Sequence, residues 1–234
     1  MTDALRLWRV EVPAEVAALE RLARALTPDE RRSAGGLRDD ARARFVAGRA
    51  SLRRLLSSHL GCPPEDVPLV AGVEGKPALD PRTGGSLHFS VAHSGGLAII
   101  ATAGFEVGVD LEAPRRIRDP VGLAARFFSP AERAHVERAP ADRRESSFLE
   151  LWTAREAVLK ATGRGLAGLE ELELAFGPGG APSGAAANGE PWEVRCFEPA
   201  PGHVAAVAAR ELPPTVGPAT LACPPDPSTT WSMG

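Results

Sequence analysis

The feature that most constrains the fold of this chain is an acid inside an apolar run. Residues 107–111 are apolar except for Gly108 and Asp110, so they predict a buried strand that carries a carboxylate. Asp110 and Glu112 are two positions apart, which on a strand places both side chains on one face. Two adjacent carboxylates repel each other, and a buried acid needs a partner. The strand therefore predicts a cation beside it.

Further along the chain, Trp152, Glu156 and Lys160 lie one helical turn apart and form one stripe of a predicted helix. If that stripe packs on the strand, Glu156 joins Asp110 and Glu112 in an all-oxygen site, which suits a hard cation such as Mg²⁺. Lys160 would then point toward phosphate. A solvated acid on the strand and an ordinary helix salt bridge between Glu156 and Lys160 are the alternatives.

Basic residues are unevenly distributed along the chain. Residues 1–60 contain 12 Arg against 8 acids, and the whole chain has 25 Arg but only two Lys, Lys76 and Lys160. Aromatic residues do not interleave with these arginines as a nucleic-acid surface requires, so the basic end predicts a small phosphorylated ligand or a solvated helix face, and no nucleic acid. In such an Arg-rich chain, the two lysines are expected where a compact point charge is needed.

Composition excludes two classes of protein. With 234 residues, 44% hydrophobic and 24% charged, the chain can form one large or two small globular domains. It contains no apolar run of membrane-spanning length, and its first residues lack the apolar core of a signal peptide. We expect a cytoplasmic protein that does not act in a membrane.

Turn and capping signals divide the chain into helices and strands. Thr27 and Ser129 each open a capping box, Gly61 and Gly163 each close a long helix, and the chain is Pro-rich from residue 213. The predicted elements are helices at 14–25, from Thr27, at 40–60, from Ser129 and around Trp152, strands at 4–12, 87–91, 97–102, 169–176, 192–198 and 203–209, and a mobile loop at 177–189.

The two halves of the chain follow the same plan. In each, a long helix closed by glycine is followed by a hairpin whose bend contains glycine, at Gly95–Gly96 and at Gly202. This pattern predicts an α+β fold of two similar α/β subdomains related by a pseudo-twofold axis, with a site in the cleft between them. We assign residues 1–104 and 105–212 to the subdomains and 213–234 to a disordered tail.

Four motifs in this order resemble the signature motifs of the Sfp-type 4′-phosphopantetheinyl transferases, over about residues 27–166. They are Gly75-Lys76-Pro77, Phe89-Ser90-Val91-Ala92-His93-Ser94, Gly108-Val109-Asp110-Leu111-Glu112 and Trp152-Thr153-Ala154-Arg155-Glu156-Ala157-Val158-Leu159-Lys160. The resemblance implies the 4′-phosphopantetheinyl transferase fold. It also implies transfer of the 4′-phosphopantetheine arm of coenzyme A to a serine of an apo carrier protein, with release of adenosine 3′,5′-bisphosphate.

The resemblance assigns roles to particular residues. Asp110, Glu112 and Glu156 would bind Mg²⁺, with Mn²⁺ as the alternative, and Lys160 would neutralise charge as the pyrophosphate bond breaks. Catalytic roles fall to Glu156, Lys160 and His93, with the serine proton passing to Glu156 directly or through a water on the metal. The residues that would bind coenzyme A are Arg44 at the 3′-phosphate, Arg49 and Arg53 (with Arg31) as looser candidates, Gly75, Lys76, Pro77, His93, Ser94 and Lys160.

The implied partners are acyl or peptidyl carrier proteins of polyketide, fatty-acid or nonribosomal peptide synthases. We expect the protein to be a monomer.

The sequence departs from the family pattern at a position that would offer a hydroxyl contact to coenzyme A. Ala92 stands where the family usually has Ser, and Ser90 where it often has Asn. Two rival functions are a Mg²⁺-dependent phosphohydrolase acting on a nucleotide-like diphosphate and a non-catalytic module that binds carrier proteins.

Overall fold

A computed structural model of the protein describes residues 4–72, 76–83, 86–163, 172–216 and 221–222. Its α-helices are α1 (Val16–Ala23), α2 (Pro28–Gly35), α3 (Asp39–Leu60), α4 (Pro120–Phe127), α5 (Pro130–Arg138) and α6 (Arg144–Thr162). Its strands are β1 (Arg6–Glu11), β2 (Leu69–Ala71), β3 (Pro77–Leu79), β4 (His88–Ser94), β5 (Leu97–Ala103), β6 (Val107–Glu112), β7 (Leu172–Phe176), β8 (Pro182–Ala187), β9 (Glu190–Phe197), β10 (Val204–Ala209) and β11 (Leu221–Ala222).

The long strands form two sheets with a common plan. The first sheet has the order β11-β1-β5-β4 and the second the order β6-β10-β9-β8-β7, while β2 and β3 form a separate hairpin. In both sheets, the first strand of the half (β1 or β6) pairs antiparallel with the last strand of the following hairpin (β5 or β10). This mixture of helices and largely antiparallel sheets confirms the predicted α+β class, and the boundary between residues 104 and 105 stays a prediction.

β5 is apolar at nearly every position because both of its faces are buried. Ala98 and Ile100 belong to the core that the first sheet forms with α1 and α3. Ile99 and Ala101, which point the other way, belong to a core shared by the two sheets. β10 alternates in the same manner between that shared core and the core formed with α6. The protein is therefore layered as helix, sheet, sheet and helix.

The predicted helix signals are confirmed at both ends of the helices. Thr27 and Ser129 cap α2 and α5 with complete capping boxes. Gly61 and Gly163 end α3 and α6 with φ values of 69° and 68°, in the left-handed region that glycine adopts without strain.

Two predictions differ from the structure. The mobile loop expected at 177–189 is wrong for residues 182–187, because β8 pairs with both β7 and β9 and its ladder partners hold a segment of weak intrinsic strand preference. In the expected tail, Leu221 and Ala222 pair parallel with Leu7 and Trp8 of β1, while residues 217–220 and 223–234 lie outside the described part of the chain.

The approach of α6 to β6 depends on Gly108. A Cβ atom at this position would lie 1.9 Å from the Ala157 carbonyl oxygen and 2.4 Å from the Ala161 nitrogen. Only a residue without a side chain therefore allows the helix backbone this close to the strand. Asp110 and Glu112 follow Gly108 at two-residue intervals, so all three share the face of β6 that α6 covers.

We predict that Gly108→Ala lowers the free energy of unfolding by about 3 kcal/mol, because the added methyl group forces the helix and strand apart. Urea unfolding followed by circular dichroism measures this loss. Gly48→Ala is the matched control, since Gly48 lies within α3 and a Cβ atom there would have open space for 4 Å around it. At that position the higher helix propensity of alanine should raise stability by about 0.5–1 kcal/mol. Equal stability of Gly108→Ala and the wild type would contradict the close contact.

Candidate active site

Two serine hydroxyls join the sheets along their edges. β4 is the edge strand of the first sheet and β6 that of the second. Ser90 Oγ accepts a hydrogen bond of 3.1 Å from the Val109 N–H, and Ser94 Oγ accepts one of 3.0 Å from the Ala113 N–H. Both pairs are offset by the same number of residues, so β4 and β6 run side by side in one direction. We call this junction the serine seam.

An ion pair links β6 to α6 beside the serine seam. Lys160 Nζ lies 2.6 Å from Asp110 Oδ1, and Asp110 is only 8% exposed. Burial raises the pKa of the Asp110 carboxyl, and the charge and hydrogen bond of Lys160 offset part of that rise. Asp110 thus has the cationic partner that a buried acid on this strand requires.

Glu112 and Glu156 complete a group of three carboxylates. Burial raises the pKa of Glu112, Arg115 opposes the rise, and the charge of Asp110 adds to it. Burial also raises the pKa of Glu156, with further contributions from Asp110 and Glu112 that Lys160 opposes. Asp110 therefore disfavours the ionisation of both glutamates, and Glu112 disfavours that of Glu156.

Ser94 and Arg115 hold Glu112 in place. Ser94 Oγ donates a hydrogen bond of 3.2 Å to Glu112 Oε2, and Arg115 Nη2 lies 3.4 Å from Glu112 Oε1. No three His, Cys, Asp or Glu side chains within the described ranges are arranged as a ready-made ligand group for a metal ion.

Both lysines of the chain meet at the same cleft. Lys76, at the start of β3, donates a hydrogen bond of 2.6 Å from its Nζ to the backbone carbonyl oxygen of Lys160. Burial and the charge of Lys160 lower the pKa of Lys76 to about 8. A cavity of about 410 Å³ lies beside them, lined also by Pro77, His88 and Gly163.

His93 lies on β4, and its side chain is exposed. Burial raises the pKa of Asp110, and the charges of Lys160 and His93 oppose that rise. Lys160 pairs with Asp110 and also lines the cavity beside Lys76, so it connects the carboxylates to that cavity.

The chain is similar to a family of known proteins. The family model of the 4′-phosphopantetheinyl transferase superfamily matches residues 106–208, from β6 to β10. The 4′-phosphopantetheinyl transferase HetI of Nostoc sp. is 38% identical over 181 residues, which are 76% of this chain and 76% of HetI. The chain belongs to this superfamily.

Two other relatives match over a smaller part of their length. The 4′-phosphopantetheinyl transferase psf-1 of Bacillus pumilus is 34% identical over 127 residues, 54% of this chain and 52% of psf-1. The 4′-phosphopantetheinyl transferase AcpT of Escherichia coli (strain K12) is 36% identical over 134 residues, 55% of this chain and 64% of AcpT. The family predicted from the four motifs is confirmed.

The arginines predicted to bind coenzyme A have different surroundings in this transferase. Arg53 is 2% exposed, and its Nε lies 2.6 Å from Glu30 Oε2. Its Nη1 donates to backbone oxygens, including that of Val67. Arg49 lies 2.9 Å from Glu30 Oε1. These internal partners give Arg49 and Arg53 structural roles and argue against a phosphate contact.

Arg31 has an internal partner, whereas Arg44 lines a cavity. Arg31 Nη1 donates a hydrogen bond of 2.7 Å to the carbonyl oxygen of Leu26, in the segment between α1 and α2. Arg44 instead lines an open cavity of about 730 Å³ that reaches the Gly95–Gly96 bend. That bend directly follows His93 and Ser94 on β4, so Arg44 stays the candidate for the 3′-phosphate. Gly75 lies outside the described residues.

The motif that departs from the family at Ala92 lies where the two sheets meet. Ala92 is 3% exposed and packs in the core between the two sheets. Ser90 is fully buried, and its hydroxyl is engaged by β6 in the serine seam. The hydroxyls of this motif thus join the two sheets, a role that the motif alone does not indicate.

Two further features near the site are not evident from the sequence. His203 lies by the Gly95 bend, since a Cβ at Gly95 would be 3.6 Å from His203 Nε2. Glu132 and Arg155 form a buried ion pair with both Nη1–Oε distances at 2.9 Å. The capping box at Ser129 signals Glu132, but only the fold shows that Glu132 also pairs with Arg155.

Within the described residues, no helix combines the length and apolar character needed to cross a membrane.

We predict that the pKa of Lys76 makes the stability of the transferase depend on pH in the alkaline range. Between about pH 8 and 10.5 the folded protein has lost the Lys76 proton while the unfolded chain retains it, so stability rises with pH across this window. The check is the difference in urea unfolding free energy between the wild type and Lys76→Met. This difference should shift in favour of the wild type as pH rises. Parallel curves would show that Lys76 is not desolvated.

Proposed function

We propose that the protein transfers the 4′-phosphopantetheine arm of coenzyme A to a serine hydroxyl of an apo carrier protein and releases adenosine 3′,5′-bisphosphate. The observation that carries the proposal is the Lys160–Asp110 ion pair of 2.6 Å among three carboxylates, beside Lys76 and His93. A pyrophosphate requires both cations for its charge and carboxylates for a metal ion. The membership of the family supports the same reaction.

The donor set fits Mg²⁺, with Mn²⁺ as the alternative. Asp110, Glu112 and Glu156 offer only oxygen atoms, and their mutual repulsion is what a divalent cation relieves. Asp110 has to share its carboxylate between Lys160 and the ion. When bound, the metal would supply charge neutralisation at the phosphate oxygens.

The protein's own groups account for the remaining steps. Lys160 neutralises the negative charge of the pyrophosphate, and His93 contacts a phosphate of coenzyme A. Lys76 adds a second cation at the adenosine side of the cleft, with Pro77 beside it. The serine oxygen of the carrier forms a bond to phosphorus as the bond from phosphorus to the bridging oxygen breaks. That oxygen leaves with adenosine 3′,5′-bisphosphate. Glu156 accepts the serine proton in this proposal.

We further propose that the acceptors are acyl or peptidyl carrier proteins of polyketide, fatty-acid or nonribosomal peptide synthases, and that the reaction takes place in the cytoplasm. A cleft formed within one chain is consistent with a monomer. The 3′-phosphate of coenzyme A would reach Arg44 in the cavity that Gly95 and Gly96 also line, and Ser94 is the residue of β4 that leads into this bend.

Incubation with coenzyme A, Mg²⁺ and an apo carrier protein tests the activity. We expect the carrier to gain the mass of one phosphopantetheine arm, and Asp110→Ala and Glu156→Ala to lose turnover by at least about a hundredfold. Ser146→Ala, which alters an exposed hydroxyl at the start of α6, is the control expected to keep wild-type rates. Release of adenosine 3′,5′-bisphosphate without an acceptor would favour hydrolysis, and no mass gain on several carriers would reject transfer.

Arg44→Ala tests the place of the 3′-phosphate. A lost charge-assisted hydrogen bond should raise KM for coenzyme A roughly tenfold, and have little effect on KM for 3′-dephospho-coenzyme A. Arg49→Ala is the matched control, because Arg49 pairs with Glu30, and it should not distinguish the two substrates. Equal effects of Arg44→Ala on both substrates would place the 3′-phosphate elsewhere.

A further inference from the structure

Among the described residues, each half of the protein contains a Glu–Arg pair that is largely shielded from solvent. In each half, the glutamate closes a capping box, accepting 3.0 Å from the Thr27 N–H at Glu30 and 2.8 Å from the Ser129 N–H at Glu132. Each glutamate then meets an arginine 23 residues downstream on the long helix, at 2.6 Å for Arg53 and 2.9 Å for Arg155. The equal spacing shows that the two pairs occupy equivalent places in the repeated fold.

The second pair is more completely buried and has more partners. Glu132 is 0% and Arg155 3% exposed. Glu132 Oε1 accepts a hydrogen bond of 3.0 Å from the Leu174 N–H, and Arg155 Nη1 donates one of 3.0 Å to the Leu172 carbonyl oxygen. The pair therefore joins the N-terminus of α5, the middle of α6 and strand β7 through hydrogen bonds that water cannot replace.

The two pairs differ in the residue that follows the arginine. Arg53 is followed by Arg54, whereas Arg155 is followed by Glu156, one of the three carboxylates at the cleft. Neighbouring residues on a helix point about 100° apart around its axis. A rotation of α6 large enough to separate Arg155 from Glu132 would therefore also turn Glu156 away from Asp110.

Several contacts hold α6 in place besides its apolar packing. Gly108 sets its distance from β6, because the Ala157 and Ala161 backbone lies against it. On that side the Lys160–Asp110 ion pair is the polar link, and it ends in a flexible lysine side chain. The Arg155 contacts on the opposite side of the helix add directional, fully buried hydrogen bonds that resist its rotation.

We propose that the Glu132–Arg155 pair is a positioning element that fixes the rotation of α6 and so holds Glu156 toward Asp110 and Glu112. This inference rests on the proposed function, because it concerns the three carboxylates that would bind the metal. Glu132 and Arg155 touch neither substrate nor metal and act only through Glu156.

The test compares Glu132→Gln with Glu30→Gln, which removes the same charge from the equivalent pair. The melting temperature of both variants should fall. Mn²⁺ binding, followed by electron paramagnetic resonance titration of the protein alone, should weaken about tenfold in Glu132→Gln and stay within about twofold of wild type in Glu30→Gln. The kcat for transfer should fall in Glu132→Gln, while KM for coenzyme A should change little.

Each outcome decides the proposal. Wild-type Mn²⁺ affinity and kcat in a Glu132→Gln protein of lowered melting temperature would show that the pair is only structural. If Glu132→Gln does not fold, Arg155→Lys, which keeps the charge but loses the planar fork, takes its place in the same comparison. Wild-type protein that binds Mn²⁺ but transfers nothing would reject the proposed function alone. Wild-type protein that does neither would reject both.

Discussion

The architecture of the site depends on how two edge strands are joined. In the described part of the chain, β4 and β6 do not share a backbone ladder, and two serine hydroxyls of β4 accept hydrogen bonds from the Val109 and Ala113 N–H groups instead. Ser94 also donates a hydrogen bond to the Glu112 carboxylate. One hydroxyl of β4 therefore both links the two sheets and holds one of the three carboxylates of the site.

The carboxylates of the site lie in only one of the two similar halves. A single offset along the chain relates Thr27 to Ser129, Glu30 to Glu132, Arg53 to Arg155 and Gly61 to Gly163. With the same offset, the positions equivalent to Asp110, Glu156 and Lys160 in the first half are Trp8, Arg54 and Ser58. A cavity of about 500 Å³ lies at the corresponding place in the first half, and its described lining, which includes Trp8 and Ser58, contains no carboxylate. The frame is thus repeated, whereas the three carboxylates of the cleft are confined to the second half.

Sequence patterns predict most of this frame for physical reasons that act locally. Capping boxes, glycine helix ends and the two-residue spacing of Asp110 and Glu112 depend only on neighbours in the chain, and each is found as predicted. The strand at 182–187 has no such local signal, because its residues are small and weakly patterned and two adjacent strands hold it in place. The sequence suggests Arg53 as a phosphate ligand because it is an arginine on the flank of a helix. The sequence does not show that Glu30 lies against it and pairs with its guanidinium group.

The two lysines of the chain lie close together in the structure. In a chain with 25 Arg, the only Lys residues, 76 and 160, lie against each other in the cleft. Lys76 donates to a single carbonyl oxygen near the end of α6. Lys160 pairs with Asp110 where α6 packs on β6. Both positions suit a compact ammonium group better than a planar guanidinium group. Burial and the charge of Lys160 together lower the pKa of Lys76 to about 8. An anion bound beside Lys76 would oppose this shift, because its charge favours the protonated amine.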